Sequence, residues 1–375
     1  MGTEKIRYVC IFPGLYNYIL TKDVGMIPYI LSRNYNYDSK IVTYDNDDYS
    51  YLNNTLKEDN FKLEYMENTG NLTKDVIKYL FRNSKKIDIL QIYHLRYFEL
   101  VKYILFYKLL NRNGQIYLKL DANNSLIDFL VDRKGLLPSL RRIFTKLLLK
   151  PVNIVSIETL RNYDKLLKSN IIKKDQLLYL PNGIKKREIT FKKENIILYV
   201  GLIEKKNKSV HILLEAFKQI NTNWKLILIG KMDNEFKTYL SKYYKQNPLM
   251  KEKIEYLGYI SDKNELSKYY AKSSIYCSMS KSESFGISLL EAASYANYIL
   301  ATDVGATKDI LNKTNYGKII NIDDVTDLKN KLTKTIQNWD NIKEDPYKIK
   351  EIIDVDFNWN QICKKLDEKI IKNYF

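Results

Sequence analysis

Residues 281–296 read KSESFGISLLEAASYA, with Glu283 and Glu291 on either side of the Phe285-Gly286 pair, where a loop runs into an apolar helical pattern. Two readings fit this local chemistry. The acids can sit near a helix N-terminus because its dipole favours negative charge, or they can accept hydrogen bonds from the hydroxyls of a ligand that approaches closely at Gly286. Eight residues at about 100° per step turn the helix by roughly 80°, so the two carboxylates do not share one helix face. Two separate jobs suit that spacing better than a paired acid and base.

A second cluster follows the apolar run NIILYVG, which ends at Gly201. The next residues, LIEKKNKS, place Lys205, Lys206 and Lys208 between a strand end and the helix VHILLEAF. Free amides, the helix dipole and lysine charge attract phosphate at such a place; a solvated lysine loop in a lysine-rich chain fits the same residues. Gly14, Asp23 and Gly25 follow the first apolar run. Gly25, at the mouth of MIPYIL, either admits a ligand or serves a tight turn. There is no GxGxxG, so a dinucleotide site is not supported.

The chain has 375 residues, 45% hydrophobic and 28% charged, and a formal net charge of +17. That length implies two domains of about 150 to 200 residues. No secretory pattern opens the sequence, and no apolar run reaches the roughly 18 residues of a membrane span. Cys10, Cys277 and Cys363 are far apart in apolar surroundings and read as buried thiols of a reducing cytoplasm. Only two histidines occur, His94 and His211, which argues against histidine-based zinc chemistry and against a Ser-His-Asp triad. The basic balance favours polyanions or anionic membranes. Residues 133–150, RKGLLPSLRRIFTKLLLK, mix Arg133, Lys134, Arg141, Arg142, Lys146 and Lys150 with leucines, isoleucine and phenylalanine. A basic amphipathic helix of this kind can lie on an anionic membrane or pack its apolar face inward. The scattered lysines carry no interleaved aromatic or zinc-spaced signature, so nucleic acid is not expected.

The elements that position these residues alternate. KIRYVCIF, SKIVTY, IDILQIYH, QIYLKLDA, NIVSIE and QLLYLPN read as strands with helical stretches between the earlier ones. The pattern restarts with NIILYVG, KLILIG, KIEYLGYI, SIYCSMS, NYILATD and YGKIINI, again separated by helices. Such alternation predicts parallel sheets in two doubly wound units, with ligands outside the carboxyl ends of the strands. The junction is the polar PNGIKKREITFKKEN. The expected division is 1–185, 186–356, and a C-terminal helix, 357–375, that crosses back towards the first domain.

With its internal SFGISLLE, the Glu283-x7-Glu291 pattern resembles the E-x7-E signature of retaining GT-B glycosyltransferases of family 4. LPNGI, Gly201 with Lys208 before ILLEAF, KLILIG, YLGYI and ATDVGATKDIL fall in that family's order, and the resemblance is strong over about residues 176 to 340. It implies an α/β GT-B fold, two facing Rossmann-like domains with a cleft between them. It also implies that Glu283 contacts donor-sugar hydroxyls, Glu291 the ribose, and the amides of Phe285, Gly286 and Ile287 the sugar and diphosphate. Lys208 binds the diphosphate, Gly14, Gly201, Lys205 and Lys206 line the donor site, and His94 lies near the transferred centre. No metal and no cofactor is implied, because the nucleotide-diphosphate sugar is itself the donor substrate.

Leu202 stands where the family commonly has an arginine, so either Lys205 or Lys206 takes that role or the phosphate site is weaker; Lys185 and Ala296 replace an Asp and a Gly. The expected function is transfer, with retention, of a hexose or N-acetylhexosamine from a UDP-sugar to a glycan or lipid-linked saccharide in bacterial surface polysaccharide synthesis. The expected place is the cytoplasm, peripherally on the inner face of the membrane. A weakly active partner subunit is the alternative that Leu202 raises. Asp45-Asn46-Asp47 is a DxD that could hold a metal in a GT-A enzyme, though it lacks that single-domain context.

Overall fold

The structure, a computed structural model, describes residues 4–132, 134–186 and 188–374. These form two compact units. The first contains the described residues up to Gly183 together with the helix Trp359–Tyr374, and the second is Ile184–Asn358.

The first unit is built on a seven-stranded sheet in the order β3-β2-β1-β4-β5-β6-β7. Its strands are β1 (Ile6–Ile11), β2 (Tyr37–Thr43), β3 (Phe61–Tyr65), β4 (Ile89–Tyr93), β5 (Gln115–Lys119), β6 (Ile154–Ile157) and β7 (Leu177–Tyr179). Every pairing is parallel. The central strands β4, β5 and β6 are buried at every residue, as expected for a parallel sheet covered by helices on both faces. The second unit repeats the plan with six parallel strands in the order β10-β9-β8-β11-β12-β13. These are β8 (Glu194–Val200), β9 (Lys225–Ile229), β10 (Ile254–Tyr256), β11 (Ser273–Ser278), β12 (Tyr298–Thr302) and β13 (Gly317–Ile320). In each sheet the order reverses beside its first strand, so β1/β4 and β8/β11 are the switch points at which doubly wound sheets bind ligands.

β3 was not apparent as a strand in the sequence. It is an edge strand, FKLEY, in which only Phe61 is buried, so its polar residues resemble the polar loop before it. Gly25 lies inside the helix Asp23–Asn34, not in a loop. A Cβ there would fall 2.1 Å from the Leu20 carbonyl oxygen, so this glycine serves close packing on the preceding 3-10 turn, not ligand approach. Arg133 lies outside the described residues, and the basic helix covers Leu136–Leu149.

The last helix completes the first unit's core. Trp359, Ile362, Cys363, Leu366 and Ile370 recur at helical spacing and pack with Leu20, Val24 and Ile27. Tyr37 donates its hydroxyl to Asp367 Oδ1 at 2.8 Å, and Gln115 Nε2 donates to the Ile370 carbonyl at 3.2 Å. All three cysteines are free and buried, and burial pushes their thiols well above the ordinary range. Leu366 is wholly buried in this seam. Leu366→Ala is expected to cost about 2 to 5 kcal/mol in denaturant unfolding; an unchanged midpoint would mean that the helix is dispensable to the core.

Candidate functional site

In the second unit the chain leaves β8 at Val200, passes Gly201, and reaches the helix Val210–Phe217 through residues 202–209. Glu204 organises this connection. Its buried carboxylate accepts the amides of Lys206 at 2.9 Å, Asn207 at 2.8 Å and Lys208. The sequence suggested that amides here are free for phosphate. Three of them already have a carboxylate partner, because Glu204 is the one acid whose side chain turns back into the loop.

That fold-back presents Lys208. Its ammonium contacts Glu283 Oε1, and Ser280 Oγ donates to the same oxygen at 2.8 Å. Asn207 Nδ2 donates to the Ser282 carbonyl at 3.1 Å, while the Lys281 amide donates to the Asn207 carbonyl at 2.8 Å. The two loops at the switch point are thus laced together by side chain and backbone. Lys208 and Glu283 keep 24% and 22% of their side-chain surface exposed. An anion can reach the one and a hydroxyl the other without unfolding anything.

The helix after Glu283 starts at Ile287, later than its apolar pattern suggests, with Gly286 as N-cap at φ 93° and no side chain capping it. Phe285 is buried, and its carbonyl accepts the Ala306 amide at 2.7 Å. Glu291 has different company. Lys263 Nζ lies 3.0 Å from Oε1, and the Tyr270 hydroxyl donates to Oε2 at 3.1 Å. The two acids are therefore served by separate cations, and nothing in the local sequence marks Lys263 or Tyr270 as the partners of Glu291.

Of the two lysines that could stand in for an arginine at position 202, Lys205 is engaged elsewhere. Its ammonium lies 4.1 Å from the centre of the Tyr239 ring and 3.9 Å from Glu235 Oε1. Lys206 points outward and is exposed. Leu202 is 48% exposed, and only its carbonyl is used, accepting the Tyr199 hydroxyl at 2.7 Å.

In the first unit, His94 directly follows β4 in a left-handed conformation, φ 63°. With Gly14, Phe12 and Tyr93 it lines a cavity of about 280 Å³ whose apolar side includes Val76, Leu100 and Tyr103, with Arg96 and Glu99 also on its wall. His94 Nδ1 lies 3.9 Å from Asp121 Oδ2. Beneath them Lys119 and Glu158 form a buried pair, which a lysine inside an apolar strand run could have signalled. Asp23 belongs to this group and not to a ligand loop. The structure brings His94 and Gly14 together in this unit. In the other unit it joins Lys208 to Glu283, with Phe285, Gly286 and Ile287 next along the chain and Glu291 one helical turn beyond Ile287; Lys205 lies over Tyr239 and Lys206 is exposed, and among the described residues no contact ties either to that pair. The Asp45-Asn46-Asp47 loop serves its neighbours: Asn46 Nδ2 donates to the Pro13 carbonyl at 2.8 Å, and Asp47 Oδ2 accepts the Asn17 amide at 2.9 Å.

Residues 182–351 match the family described as Glycosyl transferases group 1. Over 167 residues the chain is 31% identical to an uncharacterized glycosyltransferase of Methanocaldococcus jannaschii, covering 44% of this chain and 45% of that protein. It thus spans less than half the length of that curated relative. Among solved structures, a sucrose-phosphate synthase from Thermosynechococcus elongatus superposes with a TM-score of 0.72 at 15% identity, covering 98% of this chain and 99% of the other. HepE of Anabaena, in complex with UDP and glucose, gives 0.71 at 13% identity over 98% and 100% of the two chains. These likenesses show the GT-B fold, and the stretch that matches the group 1 family falls almost wholly within the second unit.

One glycine tests how tightly the Glu283 loop is held. A Cβ on Gly305, at φ +56°, would lie 2.3 Å from the Phe285 carbonyl oxygen and 3.0 Å from Glu283 Cβ. Gly305→Ala is expected to cost more than about 1 kcal/mol and to speed hydrogen exchange of the Ala306 amide. Unchanged stability and exchange would show that this contact does not hold the loop.

Proposed function

We propose that the protein is a retaining glycosyltransferase that moves a hexose or N-acetylhexosamine from a nucleotide-diphosphate sugar, with UDP-sugars favoured, to a glycan or lipid-linked saccharide. The observation that carries this reading is the Lys208–Glu283 pair, braced by Glu204, Asn207 and Ser280 at the β8/β11 switch point. A cation and a hydroxyl acceptor side by side suit a ligand that joins a diphosphate to a sugar.

Bond breaking at the anomeric carbon builds negative charge on the departing diphosphate. Lys208 and the uncapped first turn of the helix Ile287–Ser294 meet that charge, so they stabilise the transition state more than the ground state. Glu283 orients the sugar through its hydroxyls, Glu291 holds the ribose, and Gly201, Phe285, Gly286 and Ile287 line the donor. Lys206 is left as the substitute for an arginine at 202, because Lys205 is held by Tyr239 and Glu235. The resemblance assigns His94, with Gly14 in the same cavity, to the transferred centre, and in this reading the leaving phosphate helps take the acceptor's proton, which gives same-face attack and retention. The scheme uses no metal and no cofactor. Leu202 favours one other reading, a weakly active partner subunit, which turnover by the purified protein alone would set aside.

A UDP-sugar is expected to raise the melting temperature more than a GDP-sugar. Lys208→Ala should weaken UDP binding about tenfold or more, whereas Glu283→Gln should spare UDP binding and cut transfer about a hundredfold. Turnover should persist in EDTA. If both variants transferred sugar as the parent does, the donor site would be wrongly placed.

The acceptor side of the reading draws on an apolar surface. On the helix Leu136–Leu149, Leu136, Leu137, Leu140, Ile143 and Leu147 are exposed, with Lys134, Lys146 and Lys150 around them. Arg142 is turned inward to the Val131 and Ser169 carbonyls, and Arg141 stacks on Phe129. The neighbouring helix Tyr97–Leu110 joins this helix through a 2.7 Å Tyr97–Thr145 hydroxyl contact and exposes Phe98, Leu105 and Leu109. Among the described residues no helix is long and apolar enough to cross a membrane. Peripheral docking on the anionic inner face of the cell membrane would bury this surface beside a lipid-linked acceptor in surface polysaccharide synthesis. Co-sedimentation with vesicles containing anionic lipid, lost in neutral vesicles and in Leu137→Glu/Leu140→Glu, is expected; equal sedimentation in all cases would end the membrane proposal.

A further inference from the structure

A charged cluster lies under His94 that the proposed chemistry leaves unused. Lys119, at the end of β5, and Glu158, just past β6, are both wholly buried, with Nζ 2.6 Å from Oε1. Asp23 Oδ2, at the start of its helix, is 3.5 Å from the same ammonium. The second oxygen of Glu158, Oε2, is buried with no hydrogen-bond partner among the described residues. Such a pair is a poor source of stability, because removing two charges from water offsets most of their attraction and apolar replacements are often as stable. Its presence at the carboxyl ends of two buried strands therefore calls for another reason.

The contacts supply one. Glu158 Oε1 also accepts the Asp121 amide at 3.2 Å, and the Lys119 carbonyl accepts the His94 amide at 2.9 Å. His94 and Asp121, at φ 63° and φ 43°, are both non-glycine residues in the left-handed region. Strain of this kind persists only where the surroundings over-determine it, and it clusters at functional sites. Lys119 touches both strained residues, one through its own carbonyl and the other through Glu158. Asp121 in turn faces His94 Nδ1 at 3.9 Å while His94 lines the cavity.

We propose that Lys119, Glu158 and Asp23 are positioning residues for His94: they hold Asp121 in its left-handed conformation, so that its carboxylate faces Nδ1 and fixes the imidazole against the cavity. Burial, together with the charges of Asp121 and Asp23, pushes Glu158 up to about 7 against the pull of Lys119. Burial likewise raises Asp23. Two carboxylates, Glu158 and Asp23, share the one ammonium, and Glu158 Oε1 still accepts the Asp121 N–H, which makes the cluster a frame for that backbone. The proposal rests on the reading that His94 stands beside the transferred centre, but its structural part can be tested without turnover.

The chain's two histidines make the test direct, since His211 lies in the other unit and serves as an internal control. In protein labelled with 13C-histidine, Glu158→Ala is expected to move the imidazole signals of His94 and leave those of His211 in place. Glu158→Gln, which still offers an oxygen to the Asp121 amide, should restore most of the parent spectrum. With the donor selected by the binding screen, Glu158→Ala should lower kcat about tenfold or more with little change in donor KM, again rescued by glutamine. If Glu158→Ala does not fold, the apolar pair Lys119→Met/Glu158→Met is read by the same criterion. Unmoved His94 signals in a folded variant overturn the proposal. Moved signals with unchanged kcat uphold the positioning role and overturn instead the placement of His94 at the reaction centre.

Discussion

Glu204 takes three amides that would otherwise face a helix N-terminus, and that one constraint decides what the loop after β8 can do. A loop stapled to its own carboxylate cannot wrap an anion with those amides. It can hold one side chain at a fixed angle, and that side chain is Lys208. The stapled loop then offers Asn207, through both its side chain and its carbonyl, to the loop that follows β11. Lys208 and Glu283 meet because these backbones are already fixed. Their pairing is a result of the frame.

The same economy governs the charges. A chain with a net charge of +17 does not spread its lysines evenly through the site. Lys205 lies over an aromatic ring, Lys281 is 2.6 Å from Asp323 Oδ2, Lys263 serves Glu291, and Lys208 serves Glu283. These four cations near the switch point are each given an orientation by an acid or a ring, while Lys206 is exposed. In the proposed reaction, charge oriented in this way needs less reorganisation to meet a developing anion. The excess positive charge of the protein as a whole contributes a general attraction for anions, which is weaker and screened by salt.

Much of the fold was legible because parallel strands buried on both faces write long apolar runs. ILQIY, QIYLK and ENIILYV stand out from the helices around them, and β3 escaped because an edge strand need bury only one residue in five. The site was legible in part. Residues near one another in a loop, such as Lys208 within LIEKKNKS, could be picked out by type and place. Their partners could not, because Glu283 is 75 positions from Lys208 and Lys263 is 28 positions from Glu291. Gly25 shows a different limit: beside a helix start it fitted a ligand or a tight turn equally, and what decides between them is the Leu20 carbonyl, which no local pattern reveals.

The seam formed by the helix Trp359–Tyr374 has a consequence for the order in which the chain takes shape. The second unit is one unbroken stretch, Ile184–Asn358, inserted between two parts of the first. During synthesis it has all of its residues while the first unit still lacks the helix that covers Leu20, Val24 and Ile27. That groove must wait, apolar and open, until the ribosome has passed Ile370. Domains form as they emerge, so in this chain the middle of the sequence can finish before the beginning does.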